Sequence, residues 1–320
     1  MKAVRIHQPG GFEVLQYEDA PDPRPQSGQV LVRVEAIGVN FADTNDTARA
    51  DVSKGPIGIG GEAAGTVVEV GLEVSQYRVG DRVAWSRTWD SYAELVAVPE
   101  SGLVFPVPDN VTMQQAAGVL VQGMTAHYLA CSVYPLKPGN SCLVQAAAGG
   151  VGLLLCQVAK LRGATVIGTV STPEKARAAR EAGADHTIIY TDVDFEDEVK
   201  RLTDGKGVNV VYDSVGEATF LKGFNCLAPR GMMVSFGRSS GPIDPFDSSV
   251  LRGSLYLART SLASYTATKE EAQGRVDDLF RWLGEGKLKL RYQEFALRDA
   301  AKALAALRNR ETIGKVILIP

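Results

Sequence analysis

The chain has 320 residues, 45% of them hydrophobic and 22% charged, with a net charge of −3. That length suffices for two domains, and the charge balance excludes the basic excess of a nucleic-acid-binding protein. No apolar run reaches the roughly 18 to 20 residues of a membrane span, and "MKAVRIHQPGG" at the N-terminus lacks the apolar segment of a secretory signal, so a cytoplasmic protein is expected.

In chain order, the stretch from Met1 to about Val119 is a series of short β-rich runs broken by Gly and Pro: "QVLVRVEAIGVN" from Gln29, "GEAAGTVVEVG" from Gly61, "VGDRVAW" from Val79 and "SYAELVAVP" from Ser91. Strands so spaced, with turn residues between them, predict a partly open barrel or folded sheet. From about Pro138 to Gly237 the rhythm changes. Strand-like "SCLVQA", "TVIGTV", "HTIIY", "VNVVYDSVG" and "GMMVSFG" alternate with helix-like "GVGLLLCQVAKLRG", "PEKARAAREAGA", "FEDEVKRLT" and "ATFLKGFNCLA". This alternation predicts an α/β domain with a parallel sheet and helices on both faces, the doubly wound Rossmann arrangement. Thr172 and Pro173 supply an N-cap and a first-turn proline, and Gly163 and Gly183 fall where helices should stop. After Gly241, "VDDLFRWLGEGKL" and "DAAKALAALRNRE" read as helices and "GKVILIP" as a terminal strand. This tail is too short for a domain and is expected to return to the N-terminal one, giving one domain over 1–120 and 264–320 and a second over 121–263.

At the junction of the first Rossmann strand and helix stands Ala147-Ala148-Gly149-Gly150-Val151-Gly152, an A-x-G-x-x-G variant of the dinucleotide fingerprint. A strand before, a helix after and a further strand about twenty residues on are the context the motif requires. Gly149 would let the backbone approach a pyrophosphate, Gly152 would let helix and strand press together, and the helix N-terminus would face the phosphates. An empty strand-to-helix turn is the other reading, and the context favours a cofactor. NAD-binding folds close the second strand with an acid for the ribose 2′-hydroxyl. Here it closes with Thr169, Val170 and Ser171, followed by Lys175 in the next helix and by Tyr190 at the end of the third strand. Hydroxyls and a cation without a carboxylate suit a 2′-phosphate, so NADPH is the expected cofactor.

Taken together, "GVNFADT", "GGEAAGTVVEVG", "VGDRVAW", "AAAGGVG", "VVYDSVG" and "MVSFGRSSGP" resemble, in order and over the whole chain, the zinc-free medium-chain dehydrogenase/reductases, specifically the NADPH:quinone oxidoreductases. The resemblance implies a GroES-like β-rich catalytic domain beside the Rossmann domain, and a homodimer. Zinc-dependent relatives of this pattern carry Cys where this chain has Asn40, His where it has Gly61, and a third ligand near Gln122; these substitutions imply a site with no metal. The dispersed Cys131, Cys142, Cys156 and Cys226 and the three histidines agree with that expectation. Implied cofactor contacts are Asn40, Thr125, Ala148, Gly149, Gly150, Val151, Thr169, Ser171, Lys175, Tyr190 and Ser214. Phe236, Gly237 and Ser239 are implied beside the nicotinamide half, with Lys315 near the same site.

Catalysis without a metal reduces to positioning, with Asn40 and Gln122 expected to offer amide donors to a substrate carbonyl or to the ribose. Asp43 either orients them or serves as a structural acceptor in the strand-to-helix turn. The likeness breaks just after "NFADT". Quinone reductases of this kind continue with tyrosines and a "GLYP"-like turn, whereas this chain reads "NDTARADVSKGPIGIGG". The substrate is therefore read as a quinone or, alternatively, an α,β-unsaturated carbonyl. A crystallin-like structural or RNA-binding role that retains NADPH is the reading of another class, and the absence of a basic stripe disfavours RNA.

Overall fold

Alternation of buried and exposed side chains along the N-terminal third produces strands with one face on a core. The computed structural model describes residues 1–320 and divides into two units, residues 1–124 with 268–320, and residues 125–267. The first unit opens with β1 (Lys2–Ile6), β2 (Leu15–Asp19), β3 (Gln29–Val39), β4 (Ile57–Gly58), β5 (Glu62–Val70), β6 (Arg82–Ser86), β7 (Leu95–Pro99) and β8 (Leu103–Pro106). One sheet has the order β2-β1-β4, while β3 carries antiparallel partners β5 and β7, and β6 links β5 to β8. The sixteen-residue helix α1 (Met113–Tyr128) follows. The sequence pattern predicts no helix there, because "MQQAAGVLVQGMTAHY" has no polar stripe. Ala116, Ala117, Val119 and Leu120 are all fully buried, and a helix apolar nearly all round gives a weak periodic signal. The expected boundary at 120/121 falls inside this helix, and the division lies at Met124/Thr125.

The second unit is built on β9 (Ser141–Val144), α2 (Gly150–Leu161), β10 (Thr165–Val170), α3 (Pro173–Glu181), β11 (His186–Ile189), α4 (Phe195–Leu202), β12 (Val208–Asp213), α5 (Phe220–Phe224), β13 (Leu227–Ser235) and β14 (Tyr256–Arg259). Its strand order is β11-β10-β9-β12-β13-β14, with every pair parallel. The order reverses direction at β9, and ligands of open α/β sheets bind outside the carboxyl ends of the strands at such a point. Local signals set the helix ends: Thr172 accepts from the Lys175 amide with Pro173 in the first turn, and Asp194 caps α4. Gly163 and Gly183 adopt positive φ where α2 and α3 stop.

The tail supplies α6 (Lys269–Gly284), β15 (Tyr292–Ala296), α7 (Ala300–Arg308) and β16 (Lys315–Ile319) to the first unit. β16 lies antiparallel to β3, with Ile317 opposite Gly38, and parallel to β15. Leu297, Ala300, Ala303 and Leu304 join Val32, Ile37 and Trp85 in one apolar core. That pairing places Lys315 beside the end of β3, where the site of this unit is assembled. Gly38 permits it: a Cβ there would stand 2.3 Å from the Ala117 carbonyl oxygen and 2.6 Å from Glu62 Oε2. Overpacking of this kind costs about 1–3 kcal/mol, so Gly38→Ala is expected to lower the thermal unfolding midpoint by several degrees, read by circular dichroism. A surface Gly28→Ala control would be strained only by its positive φ.

Candidate active site

In the second unit, β9 delivers the chain to the small-residue loop at the switch point. Ala146 sits at φ 54°, and Gly149 caps α2 in extended backbone. A Cβ on Gly152 would come within 2.3 Å of the Ala146 carbonyl oxygen and 2.7 Å of the Ala147 carbonyl carbon. The first turn of α2 thus lies against the strand-end backbone with no room for a side chain. The first amides of any helix lack intrahelical partners, and α2 is long enough for its dipole to favour an anion there. Loop and next strand are laced together. The Ala147 amide donates to the Thr169 carbonyl, Thr169 Oγ1 accepts from the Ala146 amide, and the same hydroxyl donates to Gln145 Oε1 at 2.5 Å.

Two buried polar atoms in this region have no partner, Gln145 Nε2 just after β9 and Ser235 Oγ at the end of β13. Buried donors without partners are costly, and both belong to residues at the carboxyl ends of strands flanking β12. The end of β10 carries no acid. Ser171 follows it, Lys175 occupies the first turn of α3, and Tyr190, 41% exposed, is tied to β10 by the hydrogen bond that its amide donates to the Val170 carbonyl. The Thr191 hydroxyl fixes the Ser171 carbonyl from the same side. At the end of β12, buried Asp213 accepts from the Val215 and Gly216 amides and the Thr219 hydroxyl, and burial pushes its pKa up. It shapes the turn that bears Ser214. Phe236, Gly237 and Ser239 pack on that turn: the Phe236 amide donates to the Asp213 main-chain carbonyl, the Ser239 amide donates to the Ser214 main-chain carbonyl, and Gly237 approaches that same Ser214 carbonyl as only a glycine can. Small loop, helix terminus, orphaned donors and acid-free second strand form a cradle whose chemistry fits a phosphorylated dinucleotide. Ala148, Gly149, Gly150, Val151, Thr169, Ser171, Lys175 and Tyr190 stand on its β9–β11 side, and Ser214, Phe236, Gly237 and Ser239 on its β12–β13 side. Thr125 is buried on α1.

In the first unit, four segments meet at one carboxylate. Glu62, fully buried at the start of β5, accepts from the Val121 amide at 2.7 Å through Oε1. Its Oε2 accepts from Asn40 Nδ2 at 2.7 Å and from Lys315 Nζ at 2.7 Å. Lys315, also fully buried, donates to Asn40 Oδ1 at 2.9 Å, and Gln122 Nε2 donates to the same oxygen at 3.4 Å. Asn40, Gln122 and Lys315 are thus brought together. The Asn40 NH2 is committed to Glu62 and, at 3.5 Å, to the Gly38 carbonyl. The expectation of a free Asn40 donor for a substrate carbonyl is corrected accordingly: the buried carboxylate takes it.

Asp43 lies just below. Its Oδ2 accepts from the Asn40 amide and from the Tyr92 hydroxyl, both at 2.9 Å, so it holds the strand-to-helix turn as a structural acceptor. Burial pushes its pKa up to about 7 against the pull of those two donors. Glu62 and Tyr92 went unassigned in the sequence. The available signal was Glu62 itself, a carboxylate leading the small apolar run "EAAG", which demands a buried partner. Lys315 in "GKVILIP" was that partner, 253 residues away.

Known proteins match along the whole length. The description "Alcohol dehydrogenase GroES-like domain" fits residues 26–134 and "Zinc-binding dehydrogenase" fits residues 150–281. A Pseudomonas aeruginosa quinone oxidoreductase is 44% identical, covering 100% of this chain and 99% of its own. A Burkholderia 2-haloacrylate reductase is 40% identical over 99% of this chain and 98% of its own. The crystal structure of Escherichia coli quinone oxidoreductase complexed with NADPH superposes with a TM-score of 0.95 at 38% identity, covering 100% of both chains. This chain belongs to the medium-chain dehydrogenase/reductase family of oxidoreductases, in its quinone oxidoreductase group. The second domain description implies zinc, and the residues at Asn40, Gly61 and Gln122 do not fit it. Two amides and a glycine replace thiolate and imidazole, and the carboxylate that faces Asn40 Nδ2, Glu62, is paired with the Lys315 ammonium.

Because Asp43 binds its proton more tightly when folded, its contribution to stability is complete below its ordinary 3.8 and is lost as pH rises through about 7. Asp43→Asn keeps an acceptor for Asn40 and Tyr92 and removes the titration. Denaturant unfolding at pH 5 and pH 8 is expected to show a stability loss in the native chain that is smaller by about 1–3 kcal/mol in the variant.

Proposed function

We propose that this protein is an NADPH-dependent quinone oxidoreductase that works without a metal. The observation that carries the proposal is the cradle at the switch point, a helix terminus stripped of side chains beside a second strand that ends in hydroxyls and a lysine. Gly149, Gly150 and Val151 would hold the pyrophosphate through main-chain amides. Ser171, Lys175 and Tyr190 would hold the 2′-phosphate through charge-assisted bonds. Ser214, Phe236, Gly237 and Ser239 would line the nicotinamide half, with Thr125 as a further contact. When bound, NADPH supplies the hydride that reduces the substrate. The chain's own residues then fix the walls of the site: Glu62 and Lys315 hold Asn40 and Gln122 in place, and Asp43 fixes the turn beneath them. Preorganised contacts of this kind act by placing the reacting atoms together.

A second substrate class has specific support. The segment after Thr44 lacks the tyrosines of quinone reductases, and one relative is a 2-haloacrylate reductase, so reduction of an activated double bond is the alternative within the same site. We also infer a cytoplasmic homodimer. No helix is long and apolar enough to cross a membrane. The edge strand β14 exposes Tyr256 (56%) and Leu257 (38%) on an unpaired sheet edge, which is a pairing template.

Oxidation of NADPH followed at 340 nm against 1,4-benzoquinone and a simple enone separates the two substrate readings, and inactivity with both would overturn them together. Lys175→Ala is expected to weaken NADPH binding by about tenfold or more while leaving NADH within about twofold. Equal losses in a fluorescence titration would contradict the 2′-phosphate assignment.

A further inference from the structure

Hydrogen-bond polarity in the first unit runs in one direction only. Glu62 is an acceptor and faces Asn40, so the Asn40 NH2 must point at it. Lys315 is a donor and faces the other end of the same amide, so the Asn40 oxygen must point at Lys315. Two independent charges therefore fix the sense of one amide. The Asn40 oxygen then dictates the next group in line, since Gln122 lies against it and must present its own NH2. What remains is Gln122 Oε1, an acceptor on a side chain only 8% exposed, with no hydrogen-bond partner. The Glu62 bond to the Val121 amide ties the carboxylate to the helical turn that carries Gln122, so the chain of polarity and the chain of position are the same.

We propose that Glu62 is a positioning residue, which through Lys315 and Asn40 sets Gln122 to present a buried oxygen that accepts a hydrogen bond from an O–H or N–H donor of the bound ligand. The proposal rests on the NADPH-dependent reductase reading above and adds to it a polarity. A quinone carries only acceptor oxygens and gains nothing from this group. Its reduced form, a hydroquinone, carries two hydroxyl donors, and NADPH carries ribose hydroxyls and a carboxamide NH2. The site is therefore set for a donor from the dinucleotide or from the reduced substrate, and against the oxidised quinone.

The test compares Gln122→Met, which removes the acceptor, with the double variant Glu62→Gln/Lys315→Met, which removes the two charges together and keeps the volume. Replacing a buried ion pair as a unit avoids stranding one charge. In the double variant the new amide at position 62 must offer its oxygen to Val121 and its NH2 to Asn40, so the amide sequence inverts and Gln122 turns its NH2 outward. Three quantities are measured on the full chain: NADPH affinity by the fluorescence of the reduced nicotinamide, 1,4-hydroquinone affinity by calorimetry in the presence of NADP+, and KM for 1,4-benzoquinone. Both variants are expected to weaken one donor-bearing ligand by about five- to tenfold, as loss of one buried hydrogen bond would, while KM for benzoquinone stays level or falls. Loss confined to NADPH identifies the dinucleotide as the donor, and loss confined to hydroquinone identifies the reduced substrate. Equal losses for hydroquinone and benzoquinone would mark a merely structural role and overturn the proposal. So would unchanged affinities in Gln122→Met, which would leave only a bound water at this oxygen, and this arm decides the matter if the double variant does not fold. Weakening by Gln122→Met but not by a folded double variant would remove Glu62 from the account. Failure of the unmodified chain to bind NADPH would instead overturn the function itself.

Discussion

The contact on which the cofactor unit depends is an approach of backbone to backbone. The first turn of α2 lies so close to the end of β9 that a methyl group on Gly152 would sit 2.3 Å from the Ala146 carbonyl oxygen. Ala146 accepts a left-handed backbone to make this turn, and Thr169 holds the loop from the neighbouring strand. The helix amides stand at the carboxyl edge of the sheet where the strand order reverses, a place and a polarity that suit an anion. Ser171 and Lys175 after β10, and Ser214 and Ser239 after β12 and β13, stand at the same carboxyl edge of the sheet.

The other unit solves a different problem, which is how to keep charges inside a β-rich fold. Glu62 and Lys315 are each fully buried, and their desolvation is offset by the four hydrogen bonds that join them to each other, to Asn40 and to the Val121 amide. Removing either partner alone would strand a charge, at a cost of about 3–5 kcal/mol. Such pairs are weak sources of stability, and here what the pair fixes is the orientation of two amides.

Much of this was legible in the sequence, and for physical reasons. The strand-helix alternation from Ser141 onward is a matter of period, and the parallel sheet that it implies is the observed one. Thr172-Pro173 and the two stopping glycines act within a single turn of helix, so they could be read from neighbours in the chain. Helix α1 was missed because it is buried on most sides, which erases the stripe that marks a helix at the surface. Within the first site, Asn40 and Gln122 were found through a pattern shared with metal enzymes, but their hydrogen-bond sense was not. That sense is fixed by Glu62 and Lys315, which lie 253 residues apart and meet only because β16 returns to pair with β3. No local rule reports such a meeting. Conversely, the second strand's missing acid could be read directly, since the position of that residue relative to the loop is set by the βαβ unit itself.

What matters most is whether the bare loop grips a phosphorylated nicotinamide carrier. Titration calorimetry of the full chain with NADPH, repeated in the presence of adenosine 2′,5′-bisphosphate and then of 5′-AMP, addresses this directly. The predicted result is saturable binding of NADPH at one site per chain, displaced by the bisphosphate and little affected by 5′-AMP. Absence of binding, or binding that neither nucleotide displaces, would contradict it.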